Sequence, residues 1–355
     1  MMRCLADEPW CFVGRVRWVL ALVAAALQAA VLAGCVSTIL HYPEDDDGGL
    51  LPDGARLRND DGGTAREQDG SMPPDLRDGG MPGEDAQPAR DAAPPQTDAG
   101  PIGPQPGDGV EWLQFTPLNS RTGSSWGAVL TDVAQHIPEE QLSIYWDSDP
   151  VTAGHETTHS IHAYLRNYRN TTGTRANGFY VLEDRAVIVR EPGIRKSQVA
   201  SYVPTELRGY RFSLYITGQA EWDDTPLYVF DEWNAYVNGT AVAVDLATSG
   251  RWTYGWQDAC MGTLEFVIYS LAVGMAVKDK DASYFASYRQ FREFLAWNLR
   301  RSMQTYTACA VLPDFAWDEQ DRLLAALRTS SAAEAMRAFA RETFGAAFTN
   351  EVLGF

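Results

Sequence analysis

Three of the five histidines in this 355-residue chain fall within eight consecutive positions, and this cluster limits the possible folds more than any other feature. His155, Glu156 and His159 occupy the fixed positions of an HExxH pattern. On a helix the two histidines lie one turn apart on the same face, so both imidazoles can reach one Zn²⁺ at about 2.0–2.1 Å. Glu156 is then rotated toward a water molecule beside the metal. A catalytic zinc needs a third protein ligand, so a distant segment must fold back onto this helix.

The best candidate for the third ligand is Glu232, which lies on a helix predicted for 224–247. Its neighbours are largely aromatic, and an unpaired carboxylate among them would be costly. The alternative is that Glu232 is an ordinary surface carboxylate. Three other carboxylates then remain as possible ligands, namely Asp231, Glu221 and Asp245.

The third histidine of the cluster, His162, lies seven residues after His155. It shares the same face of the predicted helix but is displaced by about 10.5 Å along the axis. That separation is too large for one metal to bind both side chains easily. His162 is therefore either a cleft-wall or outer-layer residue of the site or a surface histidine.

The HExxH helix followed by a glutamate on a second helix resembles the gluzincin group of zincin-type zinc metallopeptidases. In that group a small residue three positions after the glutamate lets the two helices approach, and Ala235 stands there. Metzincins place a third histidine six residues after the second, where this chain has Leu165. The resemblance covers 149–245 and implies a Zn²⁺ cofactor bound by His155, His159 and Glu232.

The resemblance also implies peptide-bond hydrolysis by an activated water, with Glu156 as general base. A second donor is needed for the oxyanion, and the candidates are Tyr236, Tyr228 and Tyr210, of which Tyr236 lies one turn beyond Glu232. Two alternatives stay open: a zincin-fold binding or adhesion lipoprotein with an idle or structural metal, and a hydrolase directed at glycoproteins or cell wall. Glu156 favours catalysis, because a structural site has no need of a base.

Local patterns predict an α+β, zincin-like fold. Asp149 and Pro150 indicate the start of a helix that reaches about Arg169. A small α/β part precedes it, and a β-hairpin follows it. The C-terminal part is predominantly α-helical. The predicted strands are 111–115, 142–146, 178–182 and 186–190, and the predicted helices are 124–136, 205–219, 224–247, 258–278, 282–304, 316–328 and 332–346.

The N-terminal residues have the pattern of an export signal. Three arginines precede an apolar run at 18–33, which is too short and alanine-rich for a typical membrane span. The run ends in Leu-Ala-Gly-Cys at 32–35, which resembles the bacterial lipobox. Residues 1–34 are therefore predicted to be a lipoprotein signal peptide, with Cys35 lipidated and the mature protein anchored to a bacterial membrane, at the outer membrane or cell surface. The alternative is an uncleaved anchor helix.

The segment that follows Cys35 is rich in Asp, Gly and Pro. Residues 41–109 carry 16 acidic against five basic side chains and cannot bury enough apolar surface to fold. We expect 35–109 to be a disordered tether, since the repeated Asp-Gly-Gly runs lack the ligand spacing of a calcium loop. The net charge of −18 argues against nucleic acid as a partner. Residues 110–355 then form the catalytic domain, expected to be a monomer acting on a protein or peptide, which could be glycosylated.

Two cysteines remain in the exported part of the chain, Cys260 and Cys309. The first begins a predicted helix and the second follows the end of the next one, so an antiparallel pair of helices brings them together. Export favours a disulfide between them. The alternative is a pair of buried free thiols.

An aromatic loop bounded by glycines occupies 250–256. Its rings either line a substrate groove, where they could stack on sugars, or pack over the helical core. The core interpretation is favoured, because aromatic rings in such loops are more often buried than free.

Overall fold

The computed structural model describes residues 104–138 and 149–355. The predicted signal peptide, Cys35, almost all of the tether and the predicted strand at 142–146 lie outside the described residues. Those four interpretations stay predictions.

A three-stranded antiparallel sheet is formed by β1 (Leu113–Gln114), β2 (Ala176–Tyr180) and β3 (Arg185–Arg190), in the order β1–β3–β2. The hairpin of β2 and β3 confirms the predicted pair, although its first arm begins two residues earlier. The strand predicted at 111–115 is reduced to two residues. Leu182, Glu183 and Asp184 in the hairpin turn all have positive φ, at 70°, 56° and 58°. Such a run is strained for non-glycine residues, so neighbouring contacts must hold the turn.

Two helices flank the sheet, α1 (Ala128–His136) and α2 (Pro150–Tyr164). The predicted start of α2 is confirmed, because the Asp149 carboxylate accepts hydrogen bonds from the backbone N–H of Val151 and Thr152 at 3.0 and 3.1 Å. After Tyr164 the chain continues as a π-helical turn, Leu165–Arg169. The helical segment therefore ends at Arg169, as predicted, but its last turn is a π turn.

The remainder is predominantly helical, as predicted, and the whole belongs to the α+β class. Its helices are α3 (Tyr228–Thr248), α4 (Ala259–Lys280), α5 (Ala282–Ser287), α6 (Arg289–Ala310), α7 (Asp318–Thr329), α8 (Glu334–Phe344) and α9 (Ala346–Phe348). Within the described ranges, α4 alone is long and apolar enough to cross a membrane by length and composition. In the fold it is the central core helix, with 94% of its apolar window buried.

The prediction of a helix at 205–219 is wrong. The segment contains a 3₁₀ turn, Thr205–Leu207, and a π-helical turn, Ser213–Thr217. The backbone N–H of Gly218 closes the π turn on the carbonyl of Ser213 at 2.8 Å. Apolar periodicity alone did not reveal that glycines at 209 and 218 divide the segment into single turns.

The helix predicted at 282–304 is divided into α5 and α6 at Tyr288, whose φ and ψ are −96° and 88°. Tertiary contacts hold this break, because the Arg190 guanidinium lies 3.9 Å from the Tyr288 ring centre. The Tyr288 hydroxyl also accepts a hydrogen bond from the Arg190 backbone N–H at 3.3 Å. The end of β3 therefore overrides local helical propensity.

The predicted disulfide between Cys260 and Cys309 is confirmed. Their Cα atoms lie 5.8 Å apart, and both side chains are fully buried. The bond joins the start of α4 to the end of α6, as expected for two antiparallel helices.

Candidate metal centre

The site forms where α2 crosses α3, and two glycines make the close crossing possible. A Cβ atom on Gly154 would lie 2.9 Å from a methyl of Val242, and one on Gly239 would lie 3.0 Å from the carbonyl oxygen of Val151. Ala235, the small residue expected at this contact, is fully buried. The crossing places His155 and His159 of α2 against Glu232 of α3.

The three candidate ligand atoms form a nearly equilateral triangle. The Nε2 atoms of His155 and His159 lie 3.0 Å apart, and the Glu232 Oε2 lies 3.6 Å from the first and 3.4 Å from the second. Ligands about 2.0–2.1 Å from a tetrahedral metal are separated from one another by about 3.3–3.4 Å. The triangle therefore has the dimensions of one face of a tetrahedral zinc site. These buried groups could hold a metal ion.

The Glu232 side chain is fully buried, and its two oxygens have different surroundings. Oε1 accepts a hydrogen bond from the hydroxyl of Tyr228, one turn earlier on α3. Oε2 makes no hydrogen bond within the described parts of the chain. A buried carboxylate oxygen that accepts no hydrogen bond is costly, and a cation at the centre of the triangle would satisfy it.

Asp231 orients the second histidine from the opposite side of its ring. Its Oδ1 lies 2.5 Å from the Nδ1 of His159 and 3.1 Å from the Nδ1 of His162, and its Oδ2 accepts from Arg166 at 3.3 Å. Donation from Nδ1–H to Asp231 leaves the lone pair of the His159 Nε2 facing the triangle, as a metal ligand requires. Asp231 is thus an orienting residue and not the third member of the triangle.

The pKa directions agree with a concentrated cation-binding site. Burial alone would raise the pKa of Asp231. The charges and hydrogen bonds of His162 and His159 outweigh burial and hold this pKa well below its usual value. Burial opposes the protonated form of His159, yet Glu232 and Asp231 hold its pKa well above the usual value. Burial and the charge of His159 lower the pKa of His155. The protein therefore favours one positive charge, at His159, and disfavours a second at His155.

The remaining candidates for the third ligand lie elsewhere. Glu221 is exposed on a short 3₁₀ turn, Ala220–Trp222. Asp245 accepts a hydrogen bond from the backbone N–H of Val129 at 2.9 Å, near the start of α1. The surface interpretation of His162 is wrong, because this side chain is fully buried against Asp231 and the ring of Phe179.

Glu156 and Tyr236 adjoin the triangle on the two helices. Glu156 follows His155 on α2 and is 4% exposed. The ring of Tyr236 lies 4.5 Å from that of His155, and its hydroxyl lies 3.1 Å from the hydroxyl of Tyr215. Of the other tyrosine candidates, Tyr228 bonds to Glu232, whereas Tyr210 is 55% exposed and stacks on a surface tryptophan.

Two arginines near the site were not predicted. Arg166 follows His162 by one turn, so helical spacing could have placed the two side chains on one face. Its hydrogen bond to Asp231 depends on the packing of α3 against α2. Arg211 comes from the segment wrongly predicted as a helix, and its guanidinium lies 4.9 Å from the Tyr236 ring centre. It is held by ion pairs with Glu265 at 2.7 Å and Asp258 at 2.8 Å.

In the aromatic loop, Trp252 packs on Phe315 with ring centres 4.8 Å apart, as the core interpretation predicts. Trp256 donates from its indole N–H to the Ala316 carbonyl at 3.0 Å but remains 51% exposed. The loop is therefore anchored to the segment before α7. Its residues Arg251, Thr253 and Tyr254 also line a small cleft with Pro150 and Ala153 of α2.

Comparison of the chain with protein-family models, curated proteins and solved structures finds no match.

Proposed function

We propose that this domain is a zinc-dependent peptidase with a gluzincin-type site, in which His155, His159 and Glu232 hold the metal. The observation that supports this proposal is the triangle of buried ligand atoms, together with the Oε2 of Glu232, which accepts no hydrogen bond among the described residues. Both imidazoles keep about a tenth of their side-chain surface exposed, at 9% and 10%. The site therefore reaches solvent, as a catalytic centre must and a closed structural site need not.

A zinc ion held by His155, His159 and Glu232 would polarise the scissile carbonyl and lower the pKa of a water molecule toward 7. Glu156 takes a proton from the attacking water and delivers it to the nitrogen of the leaving amine as the C–N bond breaks. A carboxylate is suited to both transfers because it is close to the ligands on α2 without being one of them. Asp231 keeps the imidazole of His159 in the required tautomer throughout.

Tyr236 is the proposed donor to the oxyanion of the tetrahedral intermediate. Burial raises the pKa of Tyr236, and the charge of Arg211 lowers it by less, so the pKa lies above its usual value. The hydroxyl is therefore protonated at neutral pH and able to donate. Its contact with Tyr215 fixes the hydroxyl beside the ring of His155.

The test is hydrolysis of a peptide library by the mature protein and by Glu156→Gln. We expect Glu156→Gln to retain its metal and to lose at least about 10²-fold in rate, the lower range for a general base. Glu221→Gln, which changes an exposed carboxylate, is the matched control and should cleave normally. Undiminished cleavage by Glu156→Gln would exclude the mechanism. A fully loaded protein that cleaves no peptide would favour the binding or adhesion alternative.

A further inference from the structure

A second polar cavity lies between the β2–β3 turn and α6, and it shares no residue with the metal triangle. Its volume is about 320 Å³, and its polar and aromatic lining consists of Arg185, Arg300, Arg301, Glu183, Trp297 and Gln304. Three arginines and one glutamate therefore line one cavity in a chain whose net charge is −18. Such a concentration of positive charge is unfavourable unless a negative group offsets it.

The carboxylates of the described residues offset this charge only partly. Arg185 pairs with Glu183 at 2.6 Å, but the Glu183 side chain is 79% exposed. Arg300 lies 3.9 Å from Glu351, at the limit of an ion pair. Arg301 has no ion pair within the described ranges. An exposed ion pair contributes little free energy, and Glu183 and Glu351 do not balance three arginines. The cavity therefore keeps a net positive charge.

Arg301 is the central group of the cavity. Its Nη2 donates to the side-chain oxygen of Asn238. Its Nη1 is buried and has no hydrogen-bond partner among the described residues. Burial and the neighbouring charge of Arg185 lower the pKa of Arg301 to about 9. A buried guanidinium with a free donor is a strong site for a carboxylate, phosphate or sulfate oxygen.

The arginines are also held in place before any ligand arrives. The guanidinium carbons of Arg185 and Arg301 lie 5.4 and 5.8 Å from the ring centre of Trp297. Trp112 packs edge-on against Trp297, with ring centres 4.6 Å apart. Groups fixed by stacking lose little conformational entropy on binding.

We propose that this cavity is an oxyanion-binding site, in which Arg301, Arg185 and Arg300 bind the carboxylate, phosphate or sulfate group of a ligand. The site lies one side chain from the metal-centre helix, since Asn238 also donates to the Thr158 hydroxyl of α2 at 3.1 Å. An anion bound at Arg301 would thus lie next to Asn238, whose hydrogen bonds connect Arg301 to Thr158 of α2.

The test measures thermal unfolding and calorimetric binding of the full mature chain with inorganic phosphate, sulfate or acetate, at constant ionic strength set with chloride. These anions stabilise many proteins in a general way, so the comparison is between variants. Arg322→Gln is the control, because Arg322 is an exposed residue of α7 paired with Glu319. We expect Arg301→Gln to bind the preferred anion at least about tenfold more weakly than the control, the equivalent of one charge-assisted hydrogen bond.

Arg301→Gln removes an unpaired buried charge, so it should be at least as stable as the unsubstituted chain in chloride alone. Arg300→Gln is a second variant at the more exposed edge and should weaken binding in the same direction. Preference for phosphate and sulfate would identify a tetrahedral anionic group, and preference for acetate a carboxylate. Equal anion effects in Arg301→Gln, Arg300→Gln and Arg322→Gln, or no anion effect at all, would overturn the proposal.

Discussion

Removal of the disulfide between Cys260 and Cys309 should destabilise the domain by an amount that the loop length predicts. The two residues are separated by 49 positions. A cross-link closing a loop of about 50 residues restricts the unfolded chain by about 4 kcal/mol in the chain-entropy treatment. At about 2–4 °C per kcal/mol for a domain of this size, the melting temperature should fall by about 8–16 °C.

The assay is urea and thermal unfolding of Cys260→Ala, Cys309→Ala and the double variant. Each single variant should lose nearly as much free energy of unfolding as the double, because removal of either sulfur abolishes the same bond. Both sulfurs are in one bond, so the unreduced mature protein should also show no thiol that reacts with an alkylating reagent, even after unfolding. Independent, additive losses near 1 kcal/mol each would indicate only cavity formation and would refute the reasoning.

Two further predictions concern the hairpin turn and the N-terminus. His136 is buried between Asp132 and Asp184, and although burial opposes it, the hydrogen bonds of these carboxylates raise its pKa above 6.5. The stabilisation by protonated His136 is therefore complete below pH 6.5 and is lost as pH rises through the raised pKa. In urea titrations, His136→Gln should reduce the change of unfolding free energy with pH across that range. An unchanged pH profile would contradict this prediction. Cys35→Ser should abolish labelling by a fatty-acid probe and leave the precursor uncleaved, whereas a soluble, unlipidated wild-type product would contradict the predicted anchor.

Local signals located the metal-centre helix correctly. Asp149 and Pro150 define the start of α2 by hydrogen bonding and by fixed φ, both of which depend on neighbouring residues only. Within the helix, the spacing of His155 and His159 fixes their shared face. The approach of Glu232 was predicted from chemistry, because a zinc site needs a third ligand and Glu232 stands among aromatic residues, where an unpaired carboxylate would be costly.

The parts that the sequence did not predict depend on contacts between distant segments. The close crossing of α2 and α3 requires Gly154 and Gly239, whereas the resemblance to gluzincins pointed to Ala235. The sequence did not show whether Asp231 or Glu232 is the ligand. Adjacent residues on a helix point in different directions, and only the packing of α3 on α2 determines which side chain faces the histidines. The break at Tyr288 arises from contacts with Arg190, which no local pattern contains.

We expect His155, His159 and Glu232 to form one zinc site. Zinc-edge X-ray absorption of the mature chain tests it most directly, with metal content measured on the same sample. The account predicts one zinc per chain, with two imidazole nitrogens and carboxylate oxygen at about 2.0–2.2 Å and no sulfur. His159→Ala should lose the metal, while His41→Ala, which changes a histidine of the predicted tether, should retain it. Zinc that still binds stoichiometrically to His159→Ala, or a spectrum with sulfur ligands, would contradict the account.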